Sequence, residues 1–431
     1  MSQIADQALP ATDSRAATAA LNTQACCRFC GARLKHRFVD LGMSPLCQTH
    51  IEPHQLNHME PFYPLCAWVC DQCFLVQLEE YVAPSDIFSD YAYFSSYSDS
   101  WVEHARRYTE QMIGRFGFGA ASKVMEIASN DGYLLQHFVR AGVPCLGIEP
   151  AANVAEVAVG KGIPTTVCFF GRDSAREIAR EHGQANLLLG NNVLAHVPDI
   201  NDFVGGMKLL LAPGGVITME FPHLQQLMEQ NQFDTIYHEH FSYLSFTTVE
   251  RIFAHHGLTL FDVEELPTHG GSLRIYARHD NDATKPVGER VTALRQRELD
   301  KGFTRLETYA DFAERVRETK RKLLAFLIEA KRAGKSVAGY GAPGKGNTLL
   351  NYCGIRQDFL DYTVDRNPHK YGRFTPGTHI PILHPDAIRE TRPDYLLLLP
   401  WNLKEEIMQQ TAYIREWGGQ FVIPIPEVTV L

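Results

Sequence analysis

This sequence of 431 residues lacks several features, and each absence excludes a class of protein. No run approaches the roughly 18 uninterrupted apolar residues of a membrane-spanning helix, and residues 1–24 have neither the charged start nor the apolar centre of a signal peptide. Acidic side chains outnumber basic ones 50 to 41, which disfavours a nucleic-acid partner. We therefore expect a cytoplasmic protein that binds neither membranes nor nucleic acid, and a flexible lead over residues 1–24.

Cysteine is scarce after residue 73, but it is crowded before that point. Two CxxC pairs stand there, Cys27 with Cys30 and Cys70 with Cys73. Each pair can offer two thiolates from one tight turn, and the two pairs together complete a tetrahedral zinc shell with Zn–S bonds of about 2.3 Å. The pattern predicts a structural zinc ion. Buried cysteines or a redox pair are the alternatives, since a reducing cytoplasm disfavours stable disulfides.

Segments 33–39 and 68–77 are expected to be strands that bring the two cysteine pairs together. We assign residues 25–85 to this zinc-binding module. Cys26, Cys47 and Cys66 are expected to take no part in metal binding, with Cys26 in place of Cys27 as the alternative ligand.

The next part of the chain lacks the GxGxxG fingerprint of a dinucleotide-binding domain. Residues 123–128 nevertheless form a predicted strand that runs through a turn into a helix, and 144–150 form a second strand that ends in Glu149. A carboxylate at this point can accept both ribose hydroxyls of an adenosine ligand. A ribose without a pyrophosphate favours S-adenosylmethionine, whose ammonium group Glu126 or Asp131 would hold.

This cofactor loop opens a doubly wound α/β domain, in which ligands bind at the carboxyl ends of the strands. Asn192 and His196 follow the predicted fourth strand and are expected at the same edge. The residues that we expect to bind S-adenosylmethionine are Glu126, Ala128, Asn130, Asp131, Gly132, Tyr133, Leu134 and Glu149.

A polar run, YHEH, follows the predicted fifth strand and comprises residues 237–240. A metal site is disfavoured, because two histidines at spacing i, i+2 have no third ligand nearby. A polar turn is the other alternative. General acid–base catalysis is the favoured interpretation, because a histidine beside a carboxylate and a phenol has the side chains needed for proton transfer near neutral pH.

The motifs of this chain stand in a characteristic order over about residues 26–430: CRFC with CDQC, YAYFSSYSDSW, EIASNDGYLLQ, GIEP, NNVLAHV, YHEHFSY, HGGSLR and GYGAPGKGNTLLN. Together they resemble the nucleotide-sugar C-methyltransferases, which methylate a ring carbon of a dTDP-linked keto-deoxysugar. The resemblance implies a zinc-binding N-terminal module, a central Rossmann-like class I S-adenosylmethionine methyltransferase domain and a second, C-terminal α/β domain. It also implies that the sugar nucleotide lies in the cleft between the last two.

The resemblance further implies roles for single residues. His240 is the candidate base, and the tyrosine and glutamate of the same run map to Tyr237 and Glu239. From the chemistry of a carbon next to a ketone we expect His240, oriented by Glu239, to remove the α-proton, and Tyr237 or His196 to donate a hydrogen bond to the enolate oxygen. Substrate-site positions map to Tyr91, Asn192 and His196. One departure is visible, since Ala128 stands where many relatives have glycine.

The C-terminal part repeats a strand, a glycine-rich turn and a helix from Lys335 onwards. The turn is not a P-loop, because GKGN lacks the GK[ST] ending that holds magnesium. Gly341, Lys345 and Asn347 are expected to bind the sugar nucleotide, since glycines allow close backbone approach and a lysine suits a pyrophosphate. A glycine turn that serves only the topology is the alternative.

These segments divide the chain into a methyltransferase domain at 86–280, whose residues 86–118 form a lid with Tyr91, Tyr93 and Tyr97, a helical connector at 281–334 and a C-terminal domain at 335–431. The charges of the connector are expected to face solvent. The alternatives are O- or N-methylation of a sugar nucleotide and non-catalytic binding of a sugar nucleotide. RNA methylation is a third alternative, which the acidic balance and the second α/β domain disfavour.

Overall fold

The computed structural model describes residues 25–83 and 94–431. The predicted flexible lead and residues 84–93, with Tyr91 and Tyr93, therefore lie outside the described part. The strands are β1 (His36–Ser44), β2 (Tyr63–Val69), β3 (Val76–Leu78), β4 (Val124–Ile127), β5 (Cys145–Ile148), β6 (Thr165–Thr166), β7 (Ala185–Asn191), β8 (Leu211–Pro222), β9 (Ser242–Tyr243), β10 (Leu258–Leu266), β11 (Ser272–His279), β12 (Val337–Tyr340), β13 (Thr363–Val364), β14 (Ile382–Leu383), β15 (Tyr395–Leu398), β16 (Gln420–Ile423) and β17 (Thr429–Val430). The helices are α1 (Asp99–Phe116), α2 (Leu135–Arg140), α3 (Ala152–Gly160), α4 (Arg172–His182), α5 (Ile200–Leu210), α6 (Leu224–Glu229), α7 (Phe246–His255), α8 (Glu289–Asp300), α9 (Glu307–Ala310), α10 (Phe312–Arg332), α11 (Gly344–Cys353), α12 (Ala387–Thr391) and α13 (Lys404–Gln410).

The N-terminal sheet has the order β1-β2-β3-β9 and is antiparallel throughout. The strand that we predicted over 68–77 is wrong, because the CDQC turn interrupts it and separates β2 from β3. The fourth strand, β9, comes from the YHEHFSY segment and pairs with β3 through Ser242 and Tyr243. The N-terminal sheet is therefore completed by the chain that directly follows His240.

The central sheet has the order β10-β11-β8-β7-β4-β5-β6. Strands β8, β7, β4, β5 and β6 are parallel, and β11 and β10 are added antiparallel at one edge. The chain leaves β4 for β5 and β6 on one side and returns to β7 and β8 on the other. Ligands of open α/β sheets bind at such a switch point, which here lies between the carboxyl ends of β4 and β7.

The C-terminal sheet repeats this arrangement with the order β14-β13-β12-β15-β16-β17. All of its pairs are parallel except β16 with β17. Its switch point lies between β12 and β15, so the glycine-rich turn after β12 faces Trp401, which follows β15. The predicted α/β class with a second Rossmann-like domain is confirmed.

The hydrophobic cores do not follow the three sheets one by one. The N-terminal sheet packs into the same core as α10 and the C-terminal sheet. Within this core the rings of Phe38 and Phe312 stack at 4.4 Å. Three of the four cysteines predicted to bind zinc, Cys27, Cys70 and Cys73, pack instead into the core of the central sheet. The N-terminal segment thus ties the other two parts of the molecule together.

None of the described helices is long and apolar enough to cross a lipid bilayer.

The connector between the two Rossmann-like parts contains one charge that does not face solvent. Glu298, on α8, is fully buried and accepts hydrogen bonds from His223 Nε2 at 2.7 Å and from the backbone N–H groups of Phe246 and Thr247 at 2.7 Å each. These two N–H groups open α7 and have no partner within the helix. Our expectation that the connector's charges are all solvated is therefore wrong for Glu298, which caps α7.

Replacing Glu298 by Gln is expected to destabilise the protein by about 2–4 kcal/mol. The amide nitrogen of glutamine would place its own N–H groups against the N–H donors that now bond the carboxylate. Burial favours the neutral acid, but the bonds from His223 and Thr247 lower the pKa of Glu298. Its contribution to stability is thus present above the ordinary carboxyl pKa of about 4.3 and is lost as the pH falls through the lowered value. Thermal denaturation at pH 7 measures the effect. The exposed Glu289→Gln on the same helix is the control, and equal melting temperatures for the two variants would contradict the capping role.

Candidate active site and zinc site

A cavity of about 660 Å³ lies at the switch point of the central sheet and extends to the glycine-rich turn of the C-terminal domain. It joins residues that the sequence places far apart. Ten of the predicted site residues line it: Ala128, Asn130, Tyr133, Glu149, Asn192, His196, Tyr237, Glu239, His240 and Lys345.

The cofactor loop after β4 has an unusual backbone. Ala128 and Asn130 have φ values of 56° and 49°, in the left-handed region that glycine favours. This explains physically why glycine suits position 128, and alanine there carries a small conformational cost. The loop is held from below by Glu149, whose carboxylate accepts the N–H of Asn130 at 2.8 Å and that of Ala151 at 2.9 Å.

Four predicted cofactor residues do not line the cavity. Leu134 is buried in the core, and Gly132, with φ 75°, lies so close to Ile163 and Ala158 that a side chain would not fit. Asp131 pairs with Lys161 at 3.2 Å. Glu126 is the fourth, and it is fully buried beneath the loop.

Glu126 and its neighbours test whether the site fits S-adenosylmethionine. Neither carboxylate oxygen of Glu126 has a hydrogen-bond partner among the described residues. Burial raises the pKa of Glu126 well above its usual value, and the nearby Glu149 and Asp131 raise it further. Of these three acidic side chains Glu149 lines the cavity, at the carboxyl end of β5 and beside the loop, which is where an acid can accept the ribose hydroxyls of an adenosine ligand such as S-adenosylmethionine. The site therefore fits this cofactor.

His240 lies in the cavity wall with a defined tautomer. Its Nδ1 is 2.9 Å from the carbonyl oxygen of Thr235, which can only accept, so Nδ1 carries the proton and Nε2 carries the lone pair. Burial holds the pKa of His240 well below its usual value, and the nearby His196 lowers it further. The ring of Tyr237 lies 4.1 Å from that of His240, and the ring of His196 lies 4.6 Å away.

Glu239 does not orient His240 as the sequence predicted, because Thr235 supplies that hydrogen bond. The carboxyl of Glu239 instead accepts a hydrogen bond from Cys47 Sγ at 3.5 Å. Burial raises the pKa of Glu239 to about 7, so it titrates near neutrality. Cys47 lies outside the cysteine cluster, as expected, but it contacts the YHEH segment through Glu239.

Lys345 is the predicted C-terminal residue that reaches the cavity. Its ammonium donates to Asn402 Oδ1 at 2.6 Å and lies 4.9 Å from the ring of Trp401. The indole N–H of Trp401 in turn donates to Asp234 at 2.7 Å. Burial lowers the pKa of Lys345, and the charge of Asp234 opposes that shift. A partly desolvated cation with one neutral oxygen partner can bind an anionic group of a ligand.

Two other predicted substrate residues lie elsewhere. Asn347 donates its amide to the carbonyl oxygen of Cys47 at 2.6 Å and fixes the N-terminal segment against α11. Gly341 has φ 86° and lies against Pro400, so its lack of a side chain serves close packing of the two strand ends. The cavity contains neither of them.

The predicted lid is described only from residue 94 onwards. Ser95 and Trp101 line the cavity. Tyr97 is exposed, and its ring lies 6.3 Å from that of His369 in the C-terminal domain. This segment therefore reaches from the cofactor loop to the second Rossmann-like domain.

The four cysteines of the CxxC pairs converge as predicted. The sulfur atoms of Cys27, Cys30, Cys70 and Cys73 all lie within 4.8 Å of one another. Cys27 is 3.5 Å from Cys73, and Cys30 is 3.5 Å from Cys70. Tetrahedral Zn–S bonds of about 2.3 Å place sulfurs about 3.8 Å apart, so the cluster has the size of a zinc site.

The CRFC turn of the cluster docks on the central domain through a backbone carbonyl and through the side chain of Arg28. Asn201 donates to the carbonyl oxygen of Phe29 at 2.9 Å, and the Arg28 guanidinium donates to that of Pro198 at 2.6 Å. Gln77 joins the cluster to β3, since its amide donates to Cys27 Sγ at 3.2 Å and accepts the N–H of Arg28 at 2.9 Å. The cysteines have no open position for chemistry, so their role is structural.

Sequence reasoning missed several residues of the cavity wall. They are Gln48, Trp101, Phe170 and His269, and Thr235 was missed as the partner of His240. The HGGSLR motif was a usable signal for His269, whereas Gln48 and Phe170 carry no distinctive local pattern.

Three family descriptions match consecutive parts of the chain. Residues 27–88 match a family described as "Putative zinc binding domain", 101–263 match "Methyltransferase domain" and 267–426 match "C-methyltransferase C-terminal domain". The chain is also 36% identical over 408 residues to the C-methyltransferase NovU of Streptomyces niveus. The aligned region covers 94% of this chain and 96% of NovU. This chain belongs to the NovU family of C-methyltransferases.

The C-methyltransferase is also similar to solved structures. The PH0226 protein of Pyrococcus horikoshii is 14% identical with a TM-score of 0.36, over 46% of this chain and 96% of that one. An S-adenosylmethionine-dependent methyltransferase of Anabaena variabilis is 14% identical with a TM-score of 0.34, over 42% and 86%. These likenesses are too distant to bear on function.

The predicted cofactors of the C-methyltransferase are confirmed. It uses S-adenosylmethionine, and its N-terminal module, with the cysteine cluster, binds zinc.

Proposed function

We propose that this C-methyltransferase acts on a ring carbon next to the ketone of a nucleotide-linked keto-deoxysugar, with dTDP as the nucleotide, in cytoplasmic deoxysugar biosynthesis. One observation carries the proposal. A single cavity contains the cofactor loop, a neutral imidazole whose Nε2 can accept a proton, and a lysine at the glycine-rich turn of the second domain.

The ketone is what makes a ring carbon reactive. A carbon bonded to hydrogen is no nucleophile, but a neighbouring carbonyl acidifies its proton enough for an enzyme base to remove it. S-adenosylmethionine, when bound, supplies an electrophilic methyl group. The residues of the chain have to bind the sugar, take the proton and stabilise the resulting enolate.

His240 is the base in this mechanism. The bond from Nδ1 to Thr235 fixes the ring and leaves Nε2 to take the α-proton. The lowered pKa keeps His240 unprotonated at neutral pH, as a base must be. Tyr237 or His196, whose rings flank His240, donates a hydrogen bond to the enolate oxygen as negative charge develops.

Lys345 and Asn192 are the proposed contacts for the rest of the substrate. The Lys345 cation lies at the start of α11, where backbone N–H groups also favour an anion such as a pyrophosphate. Asn192 has a φ of 55°, and its side-chain oxygen has no hydrogen-bond partner among the described residues. A hydroxyl of the sugar would satisfy this oxygen.

Glu149 is the proposed ribose acceptor for the cofactor, and replacing it by Gln is expected to weaken S-adenosylmethionine binding. The change removes a charged acceptor and loosens the loop at Asn130, which should cost roughly 10- to 100-fold in affinity. Titration calorimetry with S-adenosylmethionine measures the change. Glu156→Gln, on the exposed face of α3, is the control, and an unaltered affinity in Glu149→Gln would remove Glu149 from the cofactor site.

The substrate is tested with dTDP-4-keto-2,6-dideoxy- and dTDP-4-keto-6-deoxyhexoses and methyl-labelled cofactor, followed by NMR of the products. We expect a new methyl group on a ring carbon next to the ketone, and loss of the α-proton to deuterated water. Sugar nucleotides without a ketone should not react. A methyl group on oxygen or nitrogen, with all carbon-bound protons retained, would contradict the proposal.

A further inference from the structure

The HGG part of the HGGSLR motif forms a strained loop between β10 and β11. His269, Gly270 and Gly271 have consecutive φ values of 54°, 88° and 117°. The two glycines adopt such angles at little cost, but a histidine in the left-handed region is uncommon and costs about 1–2 kcal/mol. Such strain persists only where the surroundings hold it, and it concentrates at functional sites.

Neighbouring segments hold this loop from several sides. Gln232 donates to the carbonyl oxygen of Gly270 at 2.7 Å, and the N–H of His223 donates to that of Gly271 at 3.0 Å. A side chain on Gly270 would collide with Trp401 of the C-terminal domain and with Gln232. The loop therefore fits closely between the central and C-terminal domains.

The side chain of His269 lies in the wall of the cavity. Its ring meets the face of Trp101 edge-on, with 5.2 Å between centroids. Trp101 lies 6.0 Å from Tyr133 of the cofactor loop and stacks on His104, which bonds the buried Glu220 at 2.9 Å. Aromatic packing thus fixes the ring of His269.

Position and charge state make His269 suitable for hydrogen bonding to a neutral ligand. The buried Nδ1 of His269 has no hydrogen-bond partner in the described part of the chain, which is costly unless a ligand supplies one. Burial, together with the nearby Lys345 cation, lowers the pKa of His269 to about 4. The imidazole is therefore neutral near pH 7 and offers one donor and one acceptor. It also lies close enough to His240 and His196 to influence their pKa values.

We infer that His269 binds the methyl acceptor, through a hydrogen bond from its imidazole to an oxygen of the sugar ring. The contact holds the reacting carbon between His240 and the cofactor loop. His269 is thus a substrate-positioning residue beside the base, and it does not itself remove the α-proton. The inference rests on the proposed function, because it requires an acceptor rich in oxygen atoms.

The test compares His269→Ala with His269→Asn in the full-length enzyme. Asparagine tolerates a positive φ and keeps a donor and an acceptor near Nδ1, whereas alanine keeps neither. We expect His269→Ala to raise the KM for the keto-sugar nucleotide about 10-fold or more and to slow α-proton exchange with methylation. His269→Asn should recover most of this loss. Affinity for S-adenosylmethionine should stay unchanged in both variants.

The control is His182→Ala, at the exposed end of α4, which should match the wild type in all measurements. An unchanged KM in His269→Ala, with the wild type active on the keto sugar, would overturn the inference and leave the proposed function standing. A wild type that is inactive on every keto sugar would instead refute the proposed function. If both His269 variants lose cofactor binding and melt early, the residue is structural and the inference fails.

Discussion

His240→Asn is expected to lower the rate of methylation by about 10²- to 10⁴-fold, because a positioned general base contributes that much. The same change should abolish exchange of the substrate α-proton with deuterated water, since proton removal precedes methyl transfer. Binding of S-adenosylmethionine should persist, because the cofactor loop does not depend on His240. Single-turnover methylation, NMR-detected exchange and calorimetry separate these three effects.

The matched control is the neighbouring His238→Asn. His238 lies outside the cavity and bonds the carbonyl oxygen of Pro64 at 3.1 Å, so this variant should keep most of its activity. For the wild type, protonation of the base should lower the rate as the pH drops through the lowered pKa of His240, below the usual value of about 6.5. Normal α-proton exchange in His240→Asn would show that another residue is the base.

Loss of the zinc ion is expected to abolish activity although no cysteine of the cluster touches the cavity. Gln77 bonds both Cys27 and Arg28, and its strand, β3, pairs with β9 directly after His240. Structural zinc contributes on the order of 10 kcal/mol to the folding free energy of small domains. This is comparable to the whole free energy of unfolding of a typical protein, about 5–15 kcal/mol. Cys70→Ser should therefore lose zinc, melt earlier and misplace His240.

The control for this prediction is Cys26→Ser, at the exposed cysteine beside the cluster. It should retain one zinc per chain by elemental analysis, together with wild-type melting and activity. A Cys70→Ser protein that still holds one zinc and methylates normally would contradict the structural role of the ion. An active but zinc-free protein would show that the N-terminal sheet positions β9 without the metal.

Local sequence patterns predicted a large part of the fold. Short apolar runs followed by turn residues located β4, β5 and β7, because buried parallel strands need continuous apolar stretches. Glu149 and Asn192 follow such strands, so the sheet topology brought them to one edge. The spacing within each CxxC pair similarly fixed which cysteines meet.

Contacts between distant segments were not predictable in this way. The sequence neighbour Glu239 was expected to orient His240, but the folded chain uses the backbone carbonyl of Thr235. Glu298 was expected in solvent, yet it caps α7. In both cases the partner is chosen by packing geometry, which local charge and spacing do not encode.

By itself, the sequence determined the zinc ligands, the class of each sheet and the chemical types in the YHEH segment, because these depend on local spacing and polarity. Only the tertiary structure decided which of the predicted residues share a cavity. It brought Lys345 and His269 into the same cavity as His240 and placed Asn347 and Gly341 outside that cavity. It also added β9 to the N-terminal sheet. Convergence of this kind depends on how three sheets pack against one another, and that packing is a property of the whole chain.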